Sequence, residues 1–143
     1  MITEWRRGEY LISTDKERLN VDLVQEFLKN SYWASGIPEE IVRRSIENSL
    51  AFGAYTDNEQ VGFARVVTDY ATFAYLADVF VLEAHRGRGL GKWMIEVITS
   101  HPRLQGLRRW MLATRDAHKL YRRYGFAELE RPEIFMEILE PYE

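Results

Sequence analysis

Between Val79 and Lys92 the chain runs Val-Phe-Val-Leu-Glu-Ala-His-Arg-Gly-Arg-Gly-Leu-Gly-Lys, an apolar strand pattern that passes through glycines 87, 89 and 91 into apolar residues at helical spacing. Any fold built on this stretch must set a strand, a tight turn and a helix N-terminus in immediate succession. Glycine lets a backbone turn tightly and approach a neighbour closely, while the first turn of a helix leaves N–H donors unpaired at the positive end of its dipole. Together these make a cradle for an anion such as a pyrophosphate, and Arg86, Arg88 and Lys92 add cationic side chains. On glycine spacing alone, a plain strand-to-helix connection with solvated arginines fits equally well.

The common phosphate motifs are excluded by inspection. A P-loop needs glycine five residues before its Gly-Lys pair and Ser or Thr after it, but Gly91-Lys92 has Arg86 upstream and Trp93 downstream. A dinucleotide fingerprint would need its third glycine at Lys92 or Met94. What remains is arginine-x-x-Gly-x-Gly over Arg86, Gly89 and Gly91, preceded by Val-x-Val at 79 to 81. A second segment, Ala117-His118-Lys119-Leu120-Tyr121-Arg122-Arg123-Tyr124-Gly125-Phe126, reads Ala-x-x-Leu-Tyr-x-x-x-Gly-Phe. In this order, the two segments resemble the signatures of the GNAT superfamily of acetyl-CoA-dependent N-acetyltransferases over residues 60 to 126. The family often carries Asn three residues before that alanine; here Thr114 occupies the position.

Size and composition suit such an enzyme. At 143 residues, 46% hydrophobic and 13% aromatic, the chain is expected to form a single domain over residues 1–143 with a sizeable core. It holds no cysteine, which removes disulfides, thiolate metal sites and a cysteine nucleophile, and with them acyl-thioester chemistry on the protein. His85, His101 and His118 share no metal-ligand spacing, so no metal is expected. A net charge of −3 argues against a nucleic-acid partner and suits amines arriving as cations. No apolar run approaches membrane-spanning length, and cytoplasmic residence without a membrane partner is expected.

Strand patterns cover 9–14, 51–56, 60–69, 73–82, 107–113 and 134–139; helical patterns cover 21–28, capped by Asn20, the segment opened by Pro38, 90–98 and 116–124. This order is mixed α+β, with an antiparallel meander in its middle. The resemblance implies a mixed, mostly antiparallel central sheet of about six to seven strands with about four helices. It also implies a splay between the fourth and fifth strands, here Phe73 to Leu82 and Leu107 to Ala113, with acetyl-CoA lying in it.

Acetyl transfer to an amine requires a neutral nucleophile, polarisation of the thioester carbonyl and protonation of the departing thiolate. The resemblance implies that Val79, Phe80, Val81, the run Arg86, Gly87, Arg88, Gly89, Leu90, Gly91 and Lys92, and Thr114 contact the cofactor, with a backbone N–H at Phe80 or Val81 polarising the carbonyl. By the same carry-over Tyr121 is the general acid, although the stripe Ala117, Leu120, Tyr121 and Tyr124 also fits a core aromatic. Asp78 interrupts the apolar run from Tyr75 to Leu82 and is the candidate base, or else it bonds loop backbone or an arginine such as Arg65; Glu83 is the alternate base. Tyr32, Trp33, Tyr70 and Phe73 lie in or beside loops on the acceptor side, where they line a substrate pocket or pack ordinarily.

The expected function is therefore direct acetyl transfer, in a ternary complex, to a primary amine of a small molecule or peptide, by a monomer or homodimer. A non-catalytic acyl-CoA-binding module is the rival, as is an acyltransferase with another acyl donor or a hydroxyl acceptor.

Overall fold

The computed structural model describes residues 1–142. Strands β1 (Glu4–Arg7), β2 (Tyr10–Ser13), β3 (Leu50–Thr56), β4 (Glu59–Thr68), β5 (Phe73–Val81) and β6 (Arg109–Met111) form one sheet in sequence order. Every neighbouring pair is antiparallel except β5 and β6, which are parallel. Helices α1 (Val21–Lys29), α2 (Glu39–Glu47), α3 (Leu90–Thr99) and α4 (His118–Arg122) complete the fold. Among the described residues no helix is long and apolar enough to cross a membrane.

Local chemistry accounts for most boundaries. Asn20 Oδ1 accepts the Leu23 N–H at 3.1 Å and caps α1, and Pro38 precedes α2 at its N-cap. Asp57 and Asn58 both take positive φ, 51° and 63°, joining β3 to β4 in the two-residue turn that matches strand twist. Gly125, at φ 95°, closes the turn after α4.

Two apolar layers cover the sheet. On one face α3 buries Leu90, Trp93, Met94, Ile95, Val97 and Ile98 against Phe52, Ala64, Val66, Ala74 and Leu76. At about 1.5–3 kcal/mol per large side chain, this helix is a principal clamp on the fold. On the other face, Val24 and Leu28 of α1 and Val42 and Ile46 of α2 pack with Phe63 and Phe80.

Three expectations from the sequence are corrected. The first strand is a hairpin, because Gly8 (φ 57°) turns an additional strand, β1, onto β2. Three of the four β1 residues are exposed, so no alternation announces it. The strand expected at 134–139 is absent; a one-turn 3-10 helix, Pro132–Ile134, leads into unpaired chain in which Met136 is 97% and Ile138 93% exposed. Strand-forming residues make a strand only where a neighbour takes their hydrogen bonds. Finally, the fifth expected strand and last expected helix shrink to Arg109–Met111 and His118–Arg122, which leaves residues 112–117 as an irregular wall.

β5 carries the feature that shapes the site. Arg65 pairs with Ala77 and Phe63 with Phe80, so Asp78 and Val79 together oppose Ala64. Asp78 sits at φ 57° in this bulge. Before it, Ala74 and Leu76 face α3; after it, Val79 and Val81 do, and Phe80 turns to α1, where its ring stacks on Phe27 at 3.9 Å.

Candidate active site

β5 and β6 part company after three register pairs, Phe73 with Arg109, Ala74 with Trp110 and Tyr75 with Met111. Beyond them, β5 continues along β4 alone while 112–117 diverges, opening the splay expected from the sequence between these two strands. A cavity of about 640 Å³ fills it, with walls that include Tyr32, Trp33, Tyr75, Leu76, Asp78, Val79, Thr114, Arg115, Tyr121 and Tyr142. A second cavity, about 450 Å³ and more apolar, lies between Trp110, His118, Phe126 and Pro132 and shares Leu112, Ala113, Thr114 and Tyr121 with the first.

At the far end of β5 the backbone is arranged for an anion. The N–H of Leu82 donates to Val61 O at 2.8 Å, which makes Gly62 and Val81 a non-hydrogen-bonded pair and turns the Val81 N–H and C=O away from β4. Arg86 Nε donates to that Val81 carbonyl at 2.9 Å, tying the glycine turn to the strand. Gly87 (φ 80°) and Gly89 (φ 81°) then swing the chain into α3, with Gly89 as an N-cap lacking a side-chain partner. Among the described residues no backbone N–H from Gly87 to Lys92 donates a well-formed hydrogen bond to a protein acceptor. A Cβ on Gly87 or Gly89 would meet no atom within 4 Å, so the space beside both glycines is open.

The cationic residues of the turn differ in freedom. Arg88 Nη1 reaches Tyr10 Oη at 3.3 Å and Glu9 at 3.9 Å, and Tyr10 Oη lies 2.9 Å from His85 Nδ1. Among the described residues Arg86 uses only Nε internally, and the Lys92 carbonyl accepts from Tyr124 Oη at 3.1 Å.

Tyr121 stands at the junction of the two cavities. Its backbone N–H is fixed by Ala117 O at 3.2 Å, and its ring meets the Phe126 edge with centroids 5.8 Å apart. The side chain is buried, yet among the described residues its hydroxyl bonds no protein group. Burial pushes its phenol above the ordinary value, with Tyr32 adding to the shift, so the hydroxyl keeps its proton at neutral pH. Thr114 Oγ1 accepts the Ala117 N–H at 3.0 Å and steadies the approach to α4; its own hydrogen is left for another acceptor.

Asp78 is held on both sides. Arg65 Nε donates to Oδ2 at 2.6 Å and Trp33 Nε1 to Oδ1 at 2.8 Å, with the Asp78 side chain only 8% exposed. Of the two readings open from the sequence, the arginine bond is what the geometry presents. Glu83 is exposed on a 3-10 turn and forms no wall of the cavity.

The aromatic residues anticipated for the acceptor side separate into two pairs. Tyr32 and Trp33 line the cavity edge to face, 5.1 Å apart. Tyr70 and Phe73 do not: Tyr70 lies under the Arg103 guanidinium at 3.8 Å, and Phe73 is at the closed end, paired with Arg109. Three features went unforeseen. Tyr142 reaches a cavity wall from the tail, Trp33 bonds Asp78 across 45 residues, and Arg115 stacks on Tyr32 with its guanidinium 3.9 Å from the ring centroid. Only the last had a local signal, since Arg115 adjoins Thr114 in the second motif's approach. Among the described residues no group of three His, Cys, Asp or Glu is arranged to hold a metal.

Comparison with known proteins bears on this geometry. The profile described as Acetyltransferase (GNAT) domain matches residues 47–128. A Gibberella zeae protein named as a candidate acetyltransferase is 36% identical over 140 residues, covering 82% of this chain and 78% of its own length. The crystal structure of a candidate GNAT-family acetyltransferase from Xanthomonas campestris pv. campestris aligns with a TM-score of 0.92 at 49% identity, over 95% of this chain and 96% of that one. A candidate acetyltransferase from Clostridium acetobutylicum, solved with acetyl-CoA, shares the fold, with a TM-score of 0.64 at 14% identity over 97% of this chain and 96% of that one.

Proposed function

Because this chain belongs to the GNAT family of acetyltransferases, we propose that it moves the acetyl group of acetyl-CoA directly onto a primary amine held in the splay between β5 and the 112–117 wall. The observation that carries the reading is the unbroken run of N–H groups from Gly87 to Lys92 left unengaged among the described residues, at the end of a strand whose last N–H also points away from its partner. Such a run suits a diphosphate, and the open space beside Gly89 leaves room for one to approach. Arg86, Arg88 and Lys92 add charge at the rim.

Acetyl-CoA would supply a thioester, an electrophilic carbonyl attached to a good leaving group. The residues around it divide the remaining work. The Val81 N–H is available to the carbonyl oxygen as negative charge gathers there. The exposed edge of β5 offers an extended amide-bearing arm the contacts that β6 withholds, and the Thr114 hydroxyl can donate to the same arm. Tyr121 presents a protonated hydroxyl with no competing partner, suited to hydrogen-bonding a departing sulfur; with thiols near pKa ~8.5, the phenol stays protonated throughout the working range.

Asp78 takes a different role from the proton acceptor first considered. With one oxygen on Arg65 and the other on Trp33, it is a positioning residue that locks the acceptor wall, and the amine proton leaves through water in the cavity. The test is a thiol-release screen with acetyl-CoA over amines, amino acids, polyamines and peptides, alongside thermal unfolding with acetyl-CoA, CoA, ATP and NAD. Acetyl-CoA should raise the melting temperature and CoA should be released with at least one amine class. Absence of any shift with acetyl-CoA and CoA overturns the cradle. A shift without turnover on any acceptor favours a binding module.

A further inference from the structure

The inference rests on the acetyltransferase reading and concerns which amine the site accepts. Among the described residues four charged side chains line the 640 Å³ cavity: Arg65, Asp78, Arg115 and Asp116. The Asp78 carboxylate is committed to Arg65 Nε and Trp33 Nε1. Beyond that Nε bond, the two terminal amino groups of Arg65 donate to no protein acceptor among the described residues, although the side chain is only 20% exposed.

Arg115 is the more telling group. Tyr32 holds it twice: the Tyr32 hydroxyl accepts the Arg115 backbone N–H at 3.2 Å, and the Tyr32 ring lies 3.9 Å beneath the guanidinium. Contact at this distance holds the guanidinium against the ring face while the residue stays exposed. Elsewhere on the surface, arginines 43, 44, 122 and 131 each find a carboxylate within 4.0 Å, while Arg103 and Arg109 lie over Tyr70 and Phe135 without one among the described residues; Arg115 differs from these two in lining the cavity. Arg115 finds none among the described residues, and no protein group accepts from its side chain. Asp116, its neighbour in sequence, is exposed and makes no ion pair among the described residues.

A guanidinium immobilised on an aromatic face, with all its side-chain donors open at the mouth of a cavity, is built for a planar or tetrahedral oxyanion. The free end of Arg65 on the same cavity supplies a second, independent set of donors. We infer that the acceptor carries an anionic group, a carboxylate or a phosphate, in addition to its amine, and that Arg115 binds that group. The net charge of −3 spread over the whole chain does not oppose this, because the local donors act at contact distance while distant surface charge is screened.

Non-reactive anions test the subsite apart from catalysis. N-acetylglycinate and methyl phosphate are titrated into the full chain, with acetamide as the neutral control, while the Arg115 Nε and Trp33 Nε1 resonances are followed by NMR. Saturable shifts with at least one anion, absent with acetamide, are expected at both resonances, and those at Trp33 Nε1 should be lost in Arg115→Gln. In turnover, glycine-like amino acids or phosphoethanolamine should outperform ethanolamine and putrescine, and the better of the two anionic classes identifies carboxylate or phosphate. Arg115→Gln should raise KM for that acceptor at least tenfold with KM for acetyl-CoA unchanged, and Arg115→Lys should recover part of the loss. The inference is overturned if neither anion gives a saturable shift, if Arg115→Gln shifts as the wild type does, or if only uncharged or cationic amines are acetylated. Anion binding that depends on Arg115, with no amine acetylated, would retain the subsite and refute the acetyltransferase reading.

Discussion

Replacing Asp78 separates three contributions that meet at one residue. It accepts from Arg65 at 2.6 Å, accepts from Trp33 at 2.8 Å, and occupies φ 57°. Asp78→Asn keeps a carbonyl oxygen for Trp33 and a residue type that tolerates the left-handed region, but removes the charge opposite a guanidinium that is 20% exposed. Breaking a fully buried pair costs about 3–5 kcal/mol, and partial exposure of Arg65 reduces this to about 1–2 kcal/mol. Asp78→Gly loses both hydrogen bonds but relieves the backbone, for about 2–3 kcal/mol. Asp78→Ala loses both and adds left-handed strain of about 1 kcal/mol, for about 3–4 kcal/mol in all. Urea unfolding should therefore rank the variants Asn, Gly, Ala in increasing damage. The decisive assay is the pH profile of kcat/KM for Asp78→Asn: a positioning residue gives a loss that is uniform with pH. Activity that falls at neutral pH and returns as pH approaches the amine's own pKa would show that Asp78 takes the proton, refuting the assignment. A stability order with Ala equal to Gly would refute the strain argument.

Tyr121→Phe should lower kcat by roughly 10 to 1,000-fold while acetyl-CoA affinity, read by calorimetry, and folding stay near the wild type; unfolding of the variant would mark the ring hydroxyl as structural. Gly89→Val puts a branched side chain at φ 81° and should abolish stabilisation by acetyl-CoA in a thermal-shift titration, with an intrinsic loss of about 1–2 kcal/mol from strain. His101 is buried, its Nδ1 accepts the Arg103 N–H at 3.1 Å, and burial with Arg103 nearby lowers its pKa below the ordinary 6.5. Its contribution to stability is therefore complete above about pH 6.5 and is lost as pH falls from there through the lowered value. The melting temperature should decline across that window in the wild type and flatten in His101→Asn; Glu4, Asp69 and Glu128, all lowered by hydrogen bonds, lose their contributions only below their ordinary values of 4.5, 3.8 and 4.5.

Elements whose evidence is local were legible in the sequence. The Asn20 cap and the glycine turn into α3 are each written in adjacent residues and lie where spacing put them, and the break expected between 56 and 60 falls at Asp57-Asn58, with Glu59 already in β4. The β5–β6 splay was legible only through resemblance, because parting after Tyr75 and Met111 depends on two segments 36 residues apart in the register. What the sequence hid was long-range and one-sided. β1 pairs along exposed residues that show no alternation, and Trp33 meets Asp78 of β5 with α2, β3 and β4 lying between them in the sequence. The tail misled for the converse reason, since Ile134, Met136 and Ile138 have strand chemistry without a neighbouring edge.

The bulge at Asp78 also acts as a phase shifter on the code of β5. Upstream, even-numbered residues report to α3; downstream, odd-numbered ones do. A map of substitution tolerance along 73–81 should therefore reverse its parity at 78, with polar residues forbidden at 74 and 76, then at 79 and 81. The same logic makes the bulge removable without disturbing either core: with Asp78 deleted, Val79 alone opposes Ala64 and Phe80 still opposes Phe63, so every other side chain of β5 keeps its face. An insertion or deletion elsewhere in 73–81, with the bulge retained, would instead exchange the occupants of the two cores. The extra residue is therefore a spacer whose content is its carboxylate and its bend, not the parity of the side chains around it.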